Sequence, residues 1–578
     1  MNESMIPEPL FFNEEWISDG IKDAYKNWHI KQRPQGVSLA FKSATRVLIE
    51  SATGTGKTSF IINKLLPFAA ENNRNILYFG NRIALENQLI NSLENDSSLI
   101  DITDSILDRS KEKPRIFKHQ QSLSTITVTS YQSYINALTY KEYILPDPYY
   151  VILDEAHFFL SDALFNRKTH EILNTILETL HQKVLIFMSA TPTEFRPVFN
   201  RIIPYLGAGH ENFDLYKIYY KDEIEIYHNN YNPYFAYKFL CYHKHDDIIA
   251  KIKKTDKSEK WLIFVNSIKD GSDLFKQIKI STNRKVKFLS ADNKKNVAWK
   301  RLITEHYFKE DILITTSVLD NGVNIVDANI RHIVLPFSVE TDFIQMLGRR
   351  RMLNADDQVN VYIEQPSVQK INSLIYYTNH KLDIMNEYSQ ILEIKNYSKE
   401  LYNKKIVAFT RKLWNKHDIT VWNLFQLKKN NDIKINWLAH HRLLTLSDFY
   451  MSLRKKYSYP GYYLQNVLDW VHFDNNRIVS HLYCEQCNNL TEFIDYFKDK
   501  HIPAEDFESF YQCFQYYYKF ECYDKFKDSP DEKKAALGIR KGSTQRKATM
   551  NRSLNMLQLP YVVKKEKETW IIRDLQTD

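Results

Sequence analysis

One short segment restricts the fold of this chain more than any other. Residues 51–58 read SATGTGKT and directly follow the apolar residues 47–49. An apolar run that ends in a glycine-bearing turn closing with GKT is typical of a strand, loop and helix that hold a triphosphate. Backbone N–H groups of such a loop point at the phosphates, the lysine contacts the β and γ oxygens, and the threonine hydroxyl binds Mg²⁺. The usual pattern begins with glycine, whereas Ser51 stands there. We therefore predict that a nucleoside triphosphate and Mg²⁺ bind here, through Thr53, Gly54, Thr55, Gly56, Lys57 and Thr58.

A second apolar run, residues 149–153, ends in two adjacent carboxylates, Asp154 and Glu155. Its β-branched and aromatic members predict a strand buried on both faces. Two carboxylates at the end of a buried strand are costly unless a cation neutralises them. A nucleotide-bound Mg²⁺ would do so, with Asp154 holding the metal and Glu155 polarising the attacking water. The alternative is a strand end whose carboxylates are simply solvated.

A third apolar run, residues 184–188, leads into Ser189, Ala190 and Thr191. Short hydroxyl side chains at this point could hydrogen-bond the segment 154–157 and respond to the γ-phosphate. We therefore predict that His157, Ser189 and Thr191 couple the nucleotide site to a second ligand site.

The three segments, in this order and each at a strand end, resemble motifs I, II and III of the superfamily 2 helicases. The later segments 261–267 (WLIFVNS), 312–325 (ILITTSVLDNGVNI) and 345–351 (QMLGRRR) resemble motifs IV, V and VI. The resemblance covers about residues 30–365. It implies an α/β fold with two tandem RecA-like parallel-sheet domains and an ATP hydrolase that nucleic acid stimulates.

The motif VI segment departs from the usual pattern, which ends in arginine where this chain has Met352. Guanidinium groups that reach a γ-phosphate from the second domain stay charged and fork onto its oxygens. The resemblance implies that Gln345, Arg349 and Arg351 act in catalysis, and it leaves open which arginine is the finger. Arg350 is expected to face solvent on the same helix.

Two further nucleotide contacts follow from the resemblance. A glutamine that reads adenine is expected upstream of the phosphate loop, and Gln35 is the candidate, although the RPQ spacing is one residue tighter than the family pattern. Asn324, within motif V, is the second predicted contact.

Nucleic-acid contacts are implied by the same comparison of motifs. Hydroxyls, backbone N–H groups and single arginines suit phosphate oxygens and carry little sequence information. Each of these residues could instead have only a structural role. The predicted track consists of Arg82, Thr129, Gln132, Ser267, Thr316 and Gly322.

The composition of the chain limits its possible size class, location and ligands. A chain of 578 residues with 43% hydrophobic content is long enough for several packed domains. Since no apolar run approaches about 18 residues and no leader pattern is visible, we expect a cytoplasmic protein without a membrane span. The net charge of +8 permits nucleic-acid binding without establishing it.

The five cysteines favour reduced, packed thiols in this setting. The alternative is a structural zinc site, because His481, Cys484 and Cys487 have ligand-like spacing and Cys513 or Cys522 could complete it.

The predicted organisation is an N-terminal lead-in (1–30), two RecA-like domains (31–212 and 213–365), a helical accessory domain (366–531) and a terminal module (532–578). In the accessory domain, aromatic residues recur at helical spacing and favour packing over base stacking; they are Phe507, Phe510, Tyr511, Phe514 and Tyr518.

The terminal module reads as a basic helix followed by two strands. That order is the plan of a winged helix, which would place the helix in a DNA groove. An ordinary helix and hairpin that close the accessory domain is the alternative.

These features predict an ATP-dependent nucleic-acid helicase or translocase, with DNA favoured over RNA and protein partners unknown. Two alternatives remain. One is a nucleic-acid-dependent ATPase switch or remodelling subunit of a restriction or antiviral complex, which never separates strands. The other is an NTPase without a nucleic-acid ligand.

Overall fold

Two mostly parallel sheets, each covered by helices on both faces, form the body of the molecule in the computed structural model of this chain. The strands are β1 Leu10–Phe12, β2 Ile30–Lys31, β3 Ser43–Ala44, β4 Arg46–Glu50, β5 Ile76–Gly80, β6 Leu99–Asp101, β7 Arg115–His119, β8 Thr125–Ser130, β9 Tyr150–Leu153, β10 Val184–Ser189, β11 Ile224–Asn229, β12 Tyr237–Tyr242, β13 Lys260–Phe264, β14 Val286–Leu289, β15 Ile312–Thr315, β16 Ile330–Leu335, β17 Val359–Glu364, β18 Phe425–Leu427, β19 Ile433–Ile435, β20 Ser480–His481, β21 Ile502–Pro503, β22 Tyr561–Glu566 and β23 Thr569–Asp574.

The structure describes most of the chain, in segments separated by gaps. The described residues are 7–31, 43–80, 83–106, 114–140, 145–202, 224–234, 236–242, 244–290, 297–316, 324–351, 357–415, 419–427, 433–455, 462–471, 480–481, 489–500, 502–503, 507, 510–511, 514–515, 517–518, 546–566 and 569–575.

Helices connect and cover these strands. The α-helices are Ile17–Ile21, Lys57–Phe60, Leu66–Glu71, Ile83–Glu94, Thr103–Ile106, Tyr131–Tyr140, Phe158–Ser161, Lys168–Leu180, Pro192–Ile202, His245–Lys254, Ile268–Ser281, Val297–Glu305, Glu340–Leu347, Val368–Lys395, Lys399–Asn415, Ile419–Trp422, Trp437–Lys455, Tyr462–Trp470, Leu490–Phe497 and Arg546–Met556. A 3₁₀ turn covers Ala24–Asn27, and a π-helical turn, Ile61–Leu65, joins the two short helices after the phosphate loop.

The first sheet has the strand order β1-β11-β4-β10-β9-β5-β8-β7-β6, and only the pairs β6–β7 and β7–β8 are antiparallel. Every residue of β4, β9 and β10 is buried, as their unbroken apolar character predicts. Because the carboxyl ends of adjacent parallel strands meet at one edge, the segments after β4, β9 and β10 lie side by side. We call this sheet with its helices the first lobe.

The second sheet has the strand order β14-β15-β13-β16-β17-β12-β20 and is parallel throughout. With its helices it forms the second lobe. The prediction of two tandem parallel-sheet domains followed by a largely helical region is confirmed.

The predicted boundary between the domains needs a correction. Residues 213–365 were assigned to the second domain, but β11 pairs in parallel with β4, so that Ile226 lies beside Leu48. The N-terminal β1 in turn pairs with β11. An apolar strand in the sequence does not reveal its partner, and here the partner is in the first sheet. We propose that the first lobe includes residues 7–31 and extends through Asn229.

The helical region after β17 packs on both lobes. Its long helices Val368–Lys395 and Trp437–Lys455 are held together by bonds from Ser447 Oγ to Asn379 Oδ1 (2.7 Å) and from Arg454 Nε to Asn372 Oδ1 (2.9 Å). Apolar residues of these helices join one core of the first lobe, while the helix Tyr462–Trp470 joins a core of the second lobe.

The terminal helix Arg546–Met556 and the antiparallel hairpin β22–β23 are present where the sequence predicts a helix and two strands. The hairpin also pairs with β21, so the terminal segment shares a sheet with residues assigned to the accessory domain. All five residues of the aromatic stripe are buried, which confirms packing. Among the residues described, no helix has both the length and the apolar character required to cross a bilayer.

Candidate active site between the two lobes

The phosphate loop has the backbone that its glycines predict. Gly54 and Gly56 adopt φ angles of +89° and +84°, a region that costs side-chain-bearing residues energy. The loop is braced internally, because Ser51 Oγ and Thr55 Oγ1 share a hydrogen bond of 2.6 Å. Ser51 therefore has a role that the usual glycine could not perform.

Lys57 lies folded back inside the loop. Its Nζ donates to the carbonyl oxygens of Ser51 (2.8 Å) and Ala52 (2.9 Å). Burial lowers the pKa of this ammonium, while the nearby carboxylates Glu155 and Asp154 act in the opposite direction. The lysine is thus held at the position where a phosphate would compete for its hydrogens.

The end of β9 places Asp154 beside the loop. Tyr78 on β5 donates its hydroxyl to Asp154 Oδ2, and the Glu155 N–H donates to Oδ1 at 2.9 Å. Burial, together with the charge of Glu155, raises the Asp154 pKa to about 6. A second tyrosine, Tyr131, donates to the Asp154 carbonyl at 3.0 Å. A carboxylate so placed favours a bound cation.

Glu155 has a strained backbone, with φ at +49°. Such a conformation persists only where the surroundings enforce it, and it is common at functional sites. Its Oε2 atom is buried and accepts no hydrogen bond among the described residues. Burial raises the Glu155 pKa, but His157, Lys57 and Arg349 outweigh it and lower the pKa overall. Glu155 is therefore a charged group with an unused acceptor.

His157 connects three motifs. Its Nδ1 lies 3.3 Å from Ser189 Oγ and 3.4 Å from Glu155 Oε2. Its Nε2 contacts the side-chain amide of Gln345, which belongs to the second lobe. Burial lowers the pKa of this imidazole, so a neutral ring can accept the glutamine N–H. Thr191 N donates to Ser189 Oγ (3.1 Å), which places all three predicted coupling residues in one network.

The two predicted arginines enter from the second lobe. A Cβ built on Gly54 would lie 3.1 Å from Arg351 Nη1, so this guanidinium rests on the phosphate loop. Asn324 Oδ1 accepts from Arg351 Nε (2.9 Å). Arg349 Nε instead donates to the Gln345 carbonyl (2.9 Å) at the end of its own helix. The geometry thus separates the two arginines, which the sequence could not do.

Arg350 corrects a sequence expectation. It was expected to face solvent on a helix, but the helix Glu340–Leu347 ends before it and Arg350 forms a parallel bridge with Ile325. Its side chain is fully buried and forms a two-point ion pair with Asp357, including an Nη2–Oδ1 distance of 2.6 Å. The buried ion pair with Asp357 outweighed the helical pattern.

Three contacts at the cleft have no counterpart in the sequence motifs. Tyr234, in the connection between the lobes, bonds Thr53 Oγ1 at 3.0 Å. A Cβ on Gly348 would approach the Thr53 Cβ to 2.9 Å, so the motif VI glycine permits close approach of the lobes. Trp16 lies against Gly56, whose added Cβ would be 2.6 Å from the indole Cε3.

The predicted nucleic-acid residues occupy positions along the strand ends of both lobes. Thr129 is buried at the end of β8, and Gln132 Nε2 donates to Asn136 Oδ1 (3.0 Å). Ser267 caps its helix by accepting from Asp270 N (3.0 Å), and Thr316 follows β15. These contacts fit structural roles as well as phosphate binding.

Several predicted residues lie outside the described part of the chain. They are Gln35, Arg82, Gly322, Cys484, Cys487, Cys513 and Cys522. Cys241 is a buried free thiol. Within the described residues, no cluster of three or more His, Cys, Asp or Glu side chains is suited to a metal ion.

The Thr58 hydroxyl and the Asp154 carboxylate nevertheless fit Mg²⁺. Both are hard oxygen donors, and Mg²⁺ is ordinarily held by one or two protein groups together with substrate phosphates and water. Burial and the adjacent Glu155 charge raise the Asp154 pKa, so a cation bound at this carboxylate would favour its charged form. The residues present thus match the donor set that the ion requires.

Two family models match the chain. The model described as "Type III restriction enzyme, res subunit" matches residues 17–194, and the "Helicase conserved C-terminal domain" model matches residues 243–351. No curated protein matches the chain. Both family matches fall on the two lobes, and neither extends beyond residue 351.

Solved structures similar to the chain include S. cerevisiae Dbp5 bound to RNA and ADP BeF3, with 17% identity, 56% of this chain and 80% of that chain covered, and a TM-score of 0.38. A DEAD box protein from the hyperthermophile Methanococcus jannaschii has 16% identity, 57% and 85% coverage, and a TM-score of 0.32. Mycobacterium smegmatis helicase Lhr bound to ssDNA and AMP-PNP has 14% identity, 59% and 46% coverage, and a TM-score of 0.37.

Proposed function

We propose that this chain, which belongs to the superfamily 2 helicases and hydrolyses ATP, is a nucleic-acid-dependent motor that acts on DNA. The observation that carries the proposal is the contact of second-lobe residues with the phosphate loop and the segment 154–157 of the first lobe. Arg351 of the second lobe rests on the phosphate loop, and Gln345 contacts His157 beside the Glu155 carboxylate.

In the proposed reaction, the phosphate loop binds the triphosphate of ATP. Lys57 exchanges its two carbonyl partners for phosphate oxygens, because a charge-assisted bond is stronger than a bond to a neutral carbonyl. Thr58 and Asp154 would hold Mg²⁺, which neutralises charge on the phosphates. Gln35 and Asn324 are proposed as further nucleotide-binding residues, and Asn324 also orients Arg351.

Glu155 is the proposed group that orients and polarises the attacking water. Its Oε2 atom, which accepts no hydrogen bond among the described residues, supports this role, because a buried carboxylate oxygen can accept from a water and orient it. Arg351 is the proposed finger, because its guanidinium contacts the phosphate loop, whereas Arg349 Nε is bonded to the Gln345 carbonyl of its own helix. The positive charge of Arg349 lowers the Glu155 pKa and so favours the charged form of that carboxylate.

Closure of the lobes would couple hydrolysis to movement. His157 contacts Ser189 in the first lobe and Gln345 in the second, so loss of the γ-phosphate contact at either side disturbs one shared network. Alternating grip on a strand by the two lobes then produces translocation. The proposed strand contacts are Arg82, Thr129, Gln132, Ser267, Thr316 and Gly322.

The terminal helix and hairpin support DNA as the substrate. Asn551 on the helix bonds the backbone N–H and carbonyl of Val563 on β22 (2.7 and 3.1 Å), which fixes the two elements together. Lys547 and Arg552 are exposed on the outer face of the helix. A rigid helix with two outward cations suits a duplex groove and backbone.

A second candidate function is favoured by the family match over residues 17–194. The "Type III restriction enzyme, res subunit" description fits an ATPase subunit that remodels or moves on nucleic acid inside a larger complex, without separating strands. The nucleotide chemistry would be identical in the two cases.

Strand displacement separates the two functions. We expect the full chain with ATP to unwind a tailed DNA duplex faster than the matching RNA duplex, and Lys57→Ala to abolish displacement. ATP hydrolysis that DNA stimulates, without displacement of any tailed duplex, would favour the second function. Faster displacement of RNA would contradict the DNA assignment alone.

A further inference from the structure

A buried ion pair joins the helical region to the cleft between the lobes. Arg442, on the helix Trp437–Lys455, lies 2.7 Å through Nη1 from Glu194 Oε2. Glu194 belongs to the helix Pro192–Ile202, which follows Thr191 directly. The side chains of Arg442 and Glu194 are only 5% and 7% exposed. Because this ion pair is shielded from water, removing either partner leaves a buried charge behind and is costly.

The same carboxylate also contacts the second lobe. Thr341, at the start of the helix Glu340–Leu347, donates its hydroxyl to Glu194 Oε2 and lies 3.4 Å from Thr191 Oγ1. This is the helix that carries Gln345. Glu194 therefore receives one donor from the second lobe and one from the helical region, at the point where the two lobes meet.

Glu194 is also close enough to influence the catalytic network. Burial lowers the His157 pKa, and the Glu194 charge acts against that effect, as does the charge of Glu155. His157 in turn contacts Gln345 and Glu155. A change in the position of the Glu194 carboxylate would thus alter both the interlobe contact and the charge beside the proposed water-orienting group.

The helix that supplies Arg442 is anchored independently to both lobes. Asn436, which directly precedes this helix, donates through Nδ2 to the carbonyl of Ala163 in the first lobe (3.3 Å). In the second lobe, Tyr450 of the same helix packs against Phe337, with the ring centroids 6.4 Å apart. Because these contacts hold its helix in place, the position of Arg442 beside Glu194 is fixed.

We infer that Arg442 is a positioning residue for ATP hydrolysis, which holds the Glu194 carboxylate where Thr341 of the closed second lobe can bond it. Through this contact the helical region favours the closed arrangement of Gln345 and Arg351 around the nucleotide. The inference rests on the proposed function in one respect, namely that lobe closure limits the rate of hydrolysis.

A double-mutant cycle on the full chain tests the inference. We expect Arg442→Met and Glu194→Gln each to lower kcat about tenfold, the KM for ATP staying within about twofold, and the double variant to be no slower than either single variant. Thr341→Val removes only the donor from the second lobe and should lower kcat in the same way. Arg442→Lys, which keeps a cation, should recover most of the rate.

Arg454→Met is the matched control, because Arg454 lies on the same helix but is exposed, and among the described residues it bonds Asn372 within the helical region. It should leave kcat unchanged. If the loss of kcat in the double variant equals the product of the two single losses, the inference is overturned. It is also overturned if Arg442→Met lowers the melting temperature but leaves kcat of the folded protein normal. If Arg442→Met does not fold, normal kcat in both Thr341→Val and Glu194→Gln would overturn it equally.

The rates are measured without nucleic acid, so that the two proposals fail separately. Absence of stimulation by any nucleic acid in the wild-type chain would refute the proposed motor and leave the cycle interpretable. If DNA stimulates the wild-type chain but the free-energy effects of Arg442→Met and Glu194→Gln simply add, only the proposed role of Arg442 is refuted.

Discussion

The cleft between the lobes and the C-terminal third differ in how their residues are used. In the cleft, charged side chains are buried and converge from several strand ends, so that Arg351, Gln345 and Glu155 come together from distant parts of the chain. In the C-terminal third, conspicuous aromatic residues such as Tyr518 and Phe514 are buried against one another. Burial of charge without full pairing indicates chemistry, whereas burial of aromatic rings indicates packing.

This difference leads to opposite expectations for substitutions in the two regions. Changes in the cleft should reduce hydrolysis and leave the fold nearly intact. Changes in the C-terminal core should lower the free energy of unfolding and leave the chemistry of the folded fraction intact.

The largest effect is expected for Arg351→Ala. An arginine that stabilises charge on the transferred phosphate is worth about 10³-fold or more in rate in related nucleotide hydrolases. Steady-state kcat should fall by that order, and Arg349→Ala should cost less because that side chain is bonded to its own helix. A larger loss for Arg349→Ala would reverse the assignment.

Arg350→Met provides the contrast within the same motif. Removing Arg350 from the buried pair leaves the Asp357 carboxylate with the longer contact to Arg331 (3.4 Å), which costs about 3 kcal/mol of folding free energy. Chemical denaturation should detect this loss, and kcat per folded molecule should stay within a few fold of wild type.

The next effect is expected for Glu155→Gln. Loss of a group that accepts a proton from the nucleophile lowers rates by about 10²-fold or more. ATP binding should persist, because the phosphate loop and Lys57 are unchanged. Equilibrium binding of a fluorescent ATP analogue, measured beside hydrolysis, separates an effect on ATP binding from an effect on the hydrolysis step. An equal loss of binding and hydrolysis would show that Glu155 does not act in the hydrolysis step alone.

A smaller effect is expected for Gly348→Ala. The added Cβ would approach the Thr53 side chain, so the lobes must separate slightly at the phosphate loop. Overpacking of this kind costs about 1–3 kcal/mol, and a cost of about 1.4 kcal/mol, near the lower end, corresponds to a loss of about tenfold in kcat/KM. Thr53→Gly in the same chain should restore part of the rate, and failure of this rescue would show that another contact limits closure.

The smallest effect on hydrolysis is expected for Tyr518→Ala. This ring is fully buried in the core that the second lobe shares with the terminal helix, so its truncation should cost about 3 kcal/mol of stability. Thermal unfolding should show the loss, while kcat and nucleic-acid affinity of the folded protein stay near wild type. A selective loss of nucleic-acid affinity would instead indicate base stacking.

The sequence was most informative where structure depends on local chemistry. The φ angles of Gly54 and Gly56, the inward fold of Lys57 and the burial of β9 and β10 follow from residue types within a few positions of each other. The convergence of Glu155, His157 and Ser189 follows from the rule that parallel strands present their carboxyl ends at one edge.

Partners that are distant in sequence could not be predicted. The strand β11 has an ordinary apolar pattern, and only its pairing with β4 places it in the first lobe. The hydroxyl of Tyr78 reaches Asp154 across adjacent strands, and no residue near Asp154 in the sequence indicates that contact.

The central claim is that nucleic acid accelerates ATP hydrolysis by closing the two lobes on the cleft. Its most direct test is the steady-state ATPase rate of the full chain with single-stranded DNA, duplex DNA, RNA or no nucleic acid, with Lys57→Ala as the background. We predict stimulation of about tenfold or more by DNA in the wild-type chain and no hydrolysis by Lys57→Ala. A wild-type rate that none of the nucleic acids changes would contradict the account.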